Sequence, residues 1–200
     1  MRRIVYLISP NKISKNFFKK LEKVLSFKNV YFFQLRLKKI ENNKFIKIAK
    51  KVRKITKKYK VKLIINDFPY ISKIVKADGY HLGQKDILDQ NFKKKYEKKI
   101  VGVTCHNSKS LAKNAVKNNA SYVAFGSFHI SKLKPNAKKA NPNILKWAKK
   151  NIKKPIVAIG GINDLNYKKL LKFGAKYIAI SSFIWDNPNL KSEFAIRKFK

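Results

Sequence analysis

Acidic residues are scarce in this chain. Ten Asp and Glu stand against 49 Lys and Arg in 200 residues, a formal net charge of +39. Cysteine is nearly absent. Cys105 alone excludes a disulfide within the chain and suits a reducing compartment. Long apolar runs are missing as well. Met1-Arg2-Arg3 leads into Ile4-Val5-Tyr6-Leu7-Ile8, too short for a secretory signal and interrupted by Pro10-Asn11-Lys12. No stretch approaches membrane-spanning length. These absences point to a cytoplasmic protein with no membrane partner.

Arginine is the other rarity. Five Arg stand beside 44 Lys, and the Lys are spread through every segment. So even a spread reads as compositional drift rather than as a binding face. RNP-type aromatics, zinc-finger spacing and a continuous basic arm are all lacking, so no specific nucleic-acid partner is expected. A salt-sensitive attraction to polyanions remains physically expected.

What is present is enough to fold. Hydrophobic residues make up 44% and aromatics 12% of the chain, which suits a folded domain that buries a core. Short β-branched and aromatic runs alternate with longer Lys-rich amphipathic stretches. Strands are expected at Ile4–Ile8, Val30–Leu35, Val61–Ile65, Gly79–Leu82, Ile100–Thr104, Tyr122–Phe125, Ile156–Ile159 and Tyr177–Ile180. Helices are expected near 14–26, 42–59, 69–76, 87–97, 108–118, 139–151, 164–173 and 189–199. In 42–59, Phe45, Ile48, Ala49, Val52 and Ile55 form a helical stripe. Eight strand–helix units of about 25 residues imply parallel strands with right-handed crossovers. The expected fold is α/β, a compact (β/α)8 TIM barrel forming one domain over 1–200. A doubly wound open sheet has the same alternation. The placement of polar residues favours the barrel.

Barrel chemistry collects at the C-terminal ends of strands. Reading those ends in order gives Gln34, Arg36 and Lys38, then Asn66 and Asp67, then Gly83, Gln84 and Asp86. Thr104, Cys105 and His106 follow, then Gly126 and Ser127, Gly160 and Gly161, and Ser181 and Ser182. Three of the ten acids fall within 66–86, where even spacing would put about one. Asp67 and Asp86 together suit Mg²⁺, which takes a few carboxylates alongside phosphate oxygens. Singly, each reads more simply, Asp67 as a helix cap and Asp86 as a solvated loop residue. Arg36 and Lys38, two apart at a strand end, point to one side and with Lys134 suit a pyrophosphate. Gly160-Gly161 with Ser181-Ser182 matches a phosphate cradle that many barrels share. His81 is expected to be a hydrogen-bonded barrel residue, His106 a helix cap, and Cys105 a packing residue. His129 is retained as a candidate acid or base. No nucleophile–base–acid triad is readable.

The ordered set Gln34-Leu35-Arg36-Leu37-Lys38, Asn66-Asp67, Ala77-Asp78-Gly79-Tyr80-His81-Leu82-Gly83-Gln84-Lys85-Asp86, Gly102-Val103-Thr104-Cys105-His106, Phe125-Gly126-Ser127-Phe128 with Lys134, Ala158-Ile159-Gly160-Gly161-Ile162 and Ser181-Ser182 resembles the thiamine-phosphate synthase family. The likeness runs from Tyr6 to about Ile184. It implies a transferase that joins an aminopyrimidine methyl diphosphate to a thiazole phosphate, giving thiamine monophosphate and pyrophosphate. Those two small molecules would be its partners, with association into a homo-oligomer left open. The resemblance assigns the pyrimidine diphosphate to Gln34, Arg36, Lys38, Asn66 and Thr104, and Mg²⁺ to Asp67 and Asp86. Ser131 and Lys134 would lie in a loop closing over the phosphates. Gly161, Ser181 and Ser182 would hold the thiazole phosphate. Arg36, Lys38 and Lys134 would act in catalysis by neutralising the leaving group.

The loop from Gly126 to Pro135 departs from the family's usual Phe-Pro-Thr-x-Thr-Lys, with His129, Ile130 and Leu133 at altered positions. Two rivals make different predictions. A thiazole tautomerase-like barrel would need proton transfer but no pyrophosphate grip. A polyanion-binding protein on a barrel scaffold would bind nucleic acid without Mg²⁺-dependent turnover.

Overall fold

Eight short strands pair in sequence order, and the last returns to the first. In the computed structural model, which describes residues 3–84, 99–130 and 139–200, β1 (Val5–Ile8), β2 (Val30–Leu35), β3 (Lys62–Asn66), β4 (Gly79–Leu82), β5 (Ile100–His106), β6 (Tyr122–Gly126), β7 (Ile156–Ile159) and β8 (Tyr177–Ile180) form a closed barrel. All eight pairings are parallel, including β1 with β8. The α/β barrel expected from the alternation is thus the observed fold.

Side chains alternate across each strand, so two apolar layers form. Outward residues such as Val5, Leu7, Phe33, Leu63, Ile65, Val123 and Ile178 pack in the cluster shared with the helices. Inward residues Tyr6, Ile8, Phe32, Ile64, Tyr122, Ala124, Val157, Tyr177 and Ala179 form a separate inner cluster. Its aromatic rings are in mutual contact. Tyr6 and Phe32 lie 5.2 Å apart between centroids, Phe32 and Tyr122 5.4 Å, and Phe32 and Tyr177 5.3 Å. These rings fill the lower barrel, so any opening must lie above them.

The helices follow the expected order. They are α1 (Phe17–Leu25), α2 (Asn42–Lys58), α3 (Pro69–Ile74), α4 (Lys109–Lys117), α5 (Asn143–Asn151), α6 (Tyr167–Lys172), α7 (Ser182–Trp185) and α8 (Ser192–Ala195), the last running into a 3₁₀ turn at Ile196–Lys198. The stripe read in 42–59 is real: Phe45, Ala49 and Val52 are buried in α2. The expected helix at 87–97 lies outside the described residues. The expected helix 189–199 is broken into α8 and the 3₁₀ turn, and α7 had no counterpart in the sequence reading. Four residues are too few to show a period.

Asp78, the third acid of 66–86, has a structural task. It lies just before β4, at the end of the strand away from the polar mouth. Its carboxylate accepts from Arg53 at 2.5 Å, from the Leu63 N–H at 2.8 Å and from Lys62 at 3.3 Å.

Candidate active site

Above the aromatic floor, the inward positions turn polar. Going round the ring, the inward residues near the strand ends are Ile8, Gln34, Asn66, His81, Thr104, Gly126, Ile159 and Ala179. All eight line one cavity of about 700 Å³. Arg36, Gly161, Ser181 and Ser182 line it too. Seven of the residues expected to contact substrate therefore converge: Gln34, Arg36, Asn66, Thr104, Gly161, Ser181 and Ser182.

Others do not join them. Lys38 is exposed and outside the cavity lining. The strand β2 stops at Leu35, so the alternation that would have turned Lys38 inward has ended. Asp67 is half-buried at the end of β3, beside the lining rather than in it. It is not the cap of α3. That position is Phe68, which makes no side-chain cap bond. Asp86, Ser131 and Lys134 lie outside the described residues.

Arg36 is held on both sides. Its N–H donates to Ser9 Oγ at 2.9 Å, and Nη1 donates to Asn11 Oδ1 at 2.8 Å. Burial lowers the guanidinium pKa, and the negative charge of Asp67 opposes that shift. A guanidinium starting from so high a value stays charged at neutral pH. Asp67 takes a left-handed backbone, φ 63°, and its N–H donates to the His81 carbonyl at 2.9 Å. Its charge is near enough to be felt at the Arg36 guanidinium.

The opposite arc is built from backbone. Gly161 has φ +56°, and a Cβ there would sit 2.3 Å from the Ile130 carbonyl oxygen. Only glycine lets the loop after β6 lie this close. Among the described residues, the N–H groups of Gly161 and Ser182 donate to no protein acceptor. Ser181 is buried, with Oγ donating to the Ser9 carbonyl at 3.2 Å. Unused N–H groups beside a glycine turn suit an anion.

Beneath Thr104 runs a chain of side chains. The Tyr6 and Tyr122 hydroxyls are 2.6 Å apart, Tyr122 OH is 2.9 Å from His81 Nδ1, and His81 Nε2 is 2.8 Å from Thr104 Oγ1. His81 is thus the hydrogen-bonded barrel residue expected. Burial raises the pKa of both phenols far above the ordinary value, so both keep their protons.

The remaining candidates resolve simply. Cys105 is buried, and burial pushes its thiol up to about 12. His106 is not a cap, because Ser108 caps α4 by accepting from the Leu111 N–H at 3.2 Å. His106 and Asn107 instead line the cavity mouth, where no sequence signal beyond position after a strand marked them. His129 lies outside the lining, with its N–H on the Gly160 carbonyl. Its pKa is lowered by burial and by Lys139 and Lys169. Among the described residues there is no cluster of three His, Cys, Asp or Glu side chains.

Comparison with known proteins agrees with this fold. Residues 5–184 match the family described as thiamine monophosphate synthase. The chain is 51% identical over 200 residues to thiamine-phosphate synthase of Pelagibacter ubique, covering all of this chain and 97% of that one. It is 36% identical over 186 residues to the Erythrobacter litoralis enzyme of the same name, covering 90% and 87% of the two chains. Among solved structures it is similar to thiamine phosphate pyrophosphorylase from Pyrococcus furiosus, with TM-score 0.87 and 26% identity over 98% of this chain and 93% of that one.

Proposed function

Because the chain belongs to the thiamine monophosphate synthase family, we propose that it condenses an aminopyrimidine methyl diphosphate with a thiazole phosphate, releasing pyrophosphate and thiamine monophosphate. The observation that carries this reading is one cavity with two anion-ready arcs. Gln34, Arg36, Asn66 and Thr104 lie in or just after β2, β3 and β5, and Gly161, Ser181 and Ser182 lie just after β7 and β8.

The division of labour follows from the chemistry of each arc. Arg36 offers a planar fork suited to a diphosphate, held by Ser9 and Asn11. Gln34, Asn66 and Thr104 supply polar contacts that orient the pyrimidine and its diphosphate. The N–H groups of Gly161 and Ser182, with Ser181, cradle the thiazole phosphate. The reaction is a dissociative substitution. The electron-rich pyrimidine expels pyrophosphate, the exocyclic carbon becomes cation-like, and the thiazole nitrogen captures it. That chemistry calls for leaving-group charge neutralisation and little general base. A barrel without a triad is suited to it. Lys38 and Lys134 remain candidates for neutralising the leaving group.

The donors at the rim fit a hard divalent cation. Asp67 presents oxygen beside Arg36, and with Asp86 it would hold Mg²⁺, which when bound offsets diphosphate charge. Proton transfer as the main chemistry, as a tautomerase-like barrel requires, finds less support, because His129 lies outside the lining.

The metal assignment has a direct test. Asp67→Ala should raise the Mg²⁺ concentration for half-maximal turnover by roughly tenfold or more, as loss of a metal contact does. An unchanged Mg²⁺ dependence in this variant removes Asp67 from the metal site. Binding of nucleic acid at physiological salt, with no turnover at any Mg²⁺ concentration, would instead favour the polyanion-binding alternative.

A further inference from the structure

The chain of side chains under Thr104 has a direction. Four groups share three hydrogen bonds: Tyr6 OH, Tyr122 OH, the His81 ring and Thr104 Oγ1. Each hydroxyl has one hydrogen to give, and a neutral imidazole has one N–H and one bare nitrogen. The question is which way the hydrogens point.

Tyr6 decides it. It is 2% exposed and sits in the inner apolar cluster, and among the described residues its hydroxyl meets only that of Tyr122. Tyr6 must therefore donate to Tyr122, or its hydrogen has no acceptor. Tyr122 then donates to His81 Nδ1, since among the described residues its own hydrogen has no other partner. His81 is left as the neutral Nε2–H tautomer and donates to Thr104 Oγ1. Thr104 accepts there, so its own hydrogen is free for the cavity. Any other arrangement strands a buried hydroxyl hydrogen on Tyr6 or Tyr122. A doubly protonated His81 does the same. The penalty for a stranded buried donor favours the first arrangement by roughly tenfold or more.

The strands are built to allow this chain. His81, Gly102 and Tyr122 lie side by side in register across β4, β5 and β6. A Cβ on Gly102 would fall 1.9 Å from Tyr122 Cζ. The missing side chain lets the Tyr122 ring lie across β5 and stack on His81, with centroids 5.7 Å apart. Thr104 stands two residues further along the same strand, on the same face.

We propose that Tyr122 and His81 are positioning residues that make Thr104 an obligate hydrogen-bond donor to the cavity. The wall at Thr104 then selects a ligand acceptor, a diphosphate oxygen or an unprotonated ring nitrogen, and rejects a ligand N–H at that point. The ligand half of this statement rests on the synthase reading. The direction of the chain does not.

Nitrogen NMR of the ligand-free, ring-labelled protein reads the direction without any turnover. His81 should carry its proton on Nε2, with Nδ1 bare. Tyr6→Phe should keep that tautomer, because Tyr122 still has only Nδ1 to donate to. Tyr122→Phe should lose it and give a tautomer mixture in a protein that still shows a cooperative melt. Thr104→Val should weaken binding by roughly tenfold or more, as loss of a bond to a charged group does. The probes are inorganic pyrophosphate with Mg²⁺ and an unphosphorylated aminopyrimidine alcohol. The probe that weakens identifies which acceptor Thr104 meets, and Thr104→Ser should restore it. A proton on Nδ1 in the wild type, or an unchanged tautomer in Tyr122→Phe, overturns the direction. Full affinity of Thr104→Val for both probes overturns its use. A correct tautomer in a protein that never turns over would spare this inference and count against the synthase reading alone.

Discussion

Arg36 shows how much one residue type can reveal. In a chain of 44 Lys, an Arg at a strand end stood out in the sequence, and it does line the cavity. Its position is set by Ser9 and Asn11, which no sequence pattern marked. Lys38 shows the opposite. Its spacing from Arg36 placed it on the same side, but spacing loses meaning once the strand ends at Leu35. Arg36→Lys keeps the charge and loses the fork. It should lower kcat/KM by roughly tenfold or more, mostly through KM for the diphosphate substrate. Steady-state kinetics with each substrate varied in turn would show it. An equal rise in both KM values would argue that Arg36 does not address the diphosphate in particular.

At the scale of elements, the strands were legible and the connections less so. Strand cores came from β-branched runs, and the structure moves their ends by one or two residues, as in Lys62–Asn66 and Ile100–His106. The inward alternation could be read forward to Gln34, Asn66 and Thr104, because a strand fixes which side each residue faces. Loop residues carry no such period. Asn107 was missed as a cavity residue for that reason, whereas His106, the last residue of β5, was read at a strand end but as a helix cap. The turn at Gly160-Gly161 was legible as glycine, but the close approach of Ile130 was not. Gly161→Ala should cost about 1–3 kcal/mol, since its Cβ would meet the Ile130 carbonyl and its backbone is left-handed. Thermal melting would measure the loss. Kinetics should place the functional effect on thiazole phosphate more than on the diphosphate. A variant as stable as wild type would mean the loop after β6 yields more readily than the structure indicates.

For the whole molecule, the alternation of eight strands and their helices was enough to expect a closed barrel, and the barrel is what gathers the site. Residues from Ile8 to Ser182 meet at one mouth because every strand points the same way. The net charge of +39 says less. Lys is spread over the whole chain, and no helix among the described residues is long and apolar enough to cross a membrane. That charge should make encounter with phosphorylated ligands salt-sensitive without choosing among them. The choice rests on the two arcs of the cavity. The account stands or falls on whether they act together. The purified protein should be mixed with aminopyrimidine methyl diphosphate, thiazole phosphate and Mg²⁺, and pyrophosphate release followed over time. The account predicts release that requires both organic substrates and matches thiamine monophosphate formed. No release from protein that melts cooperatively, or release unaffected by omitting the thiazole phosphate, would contradict it.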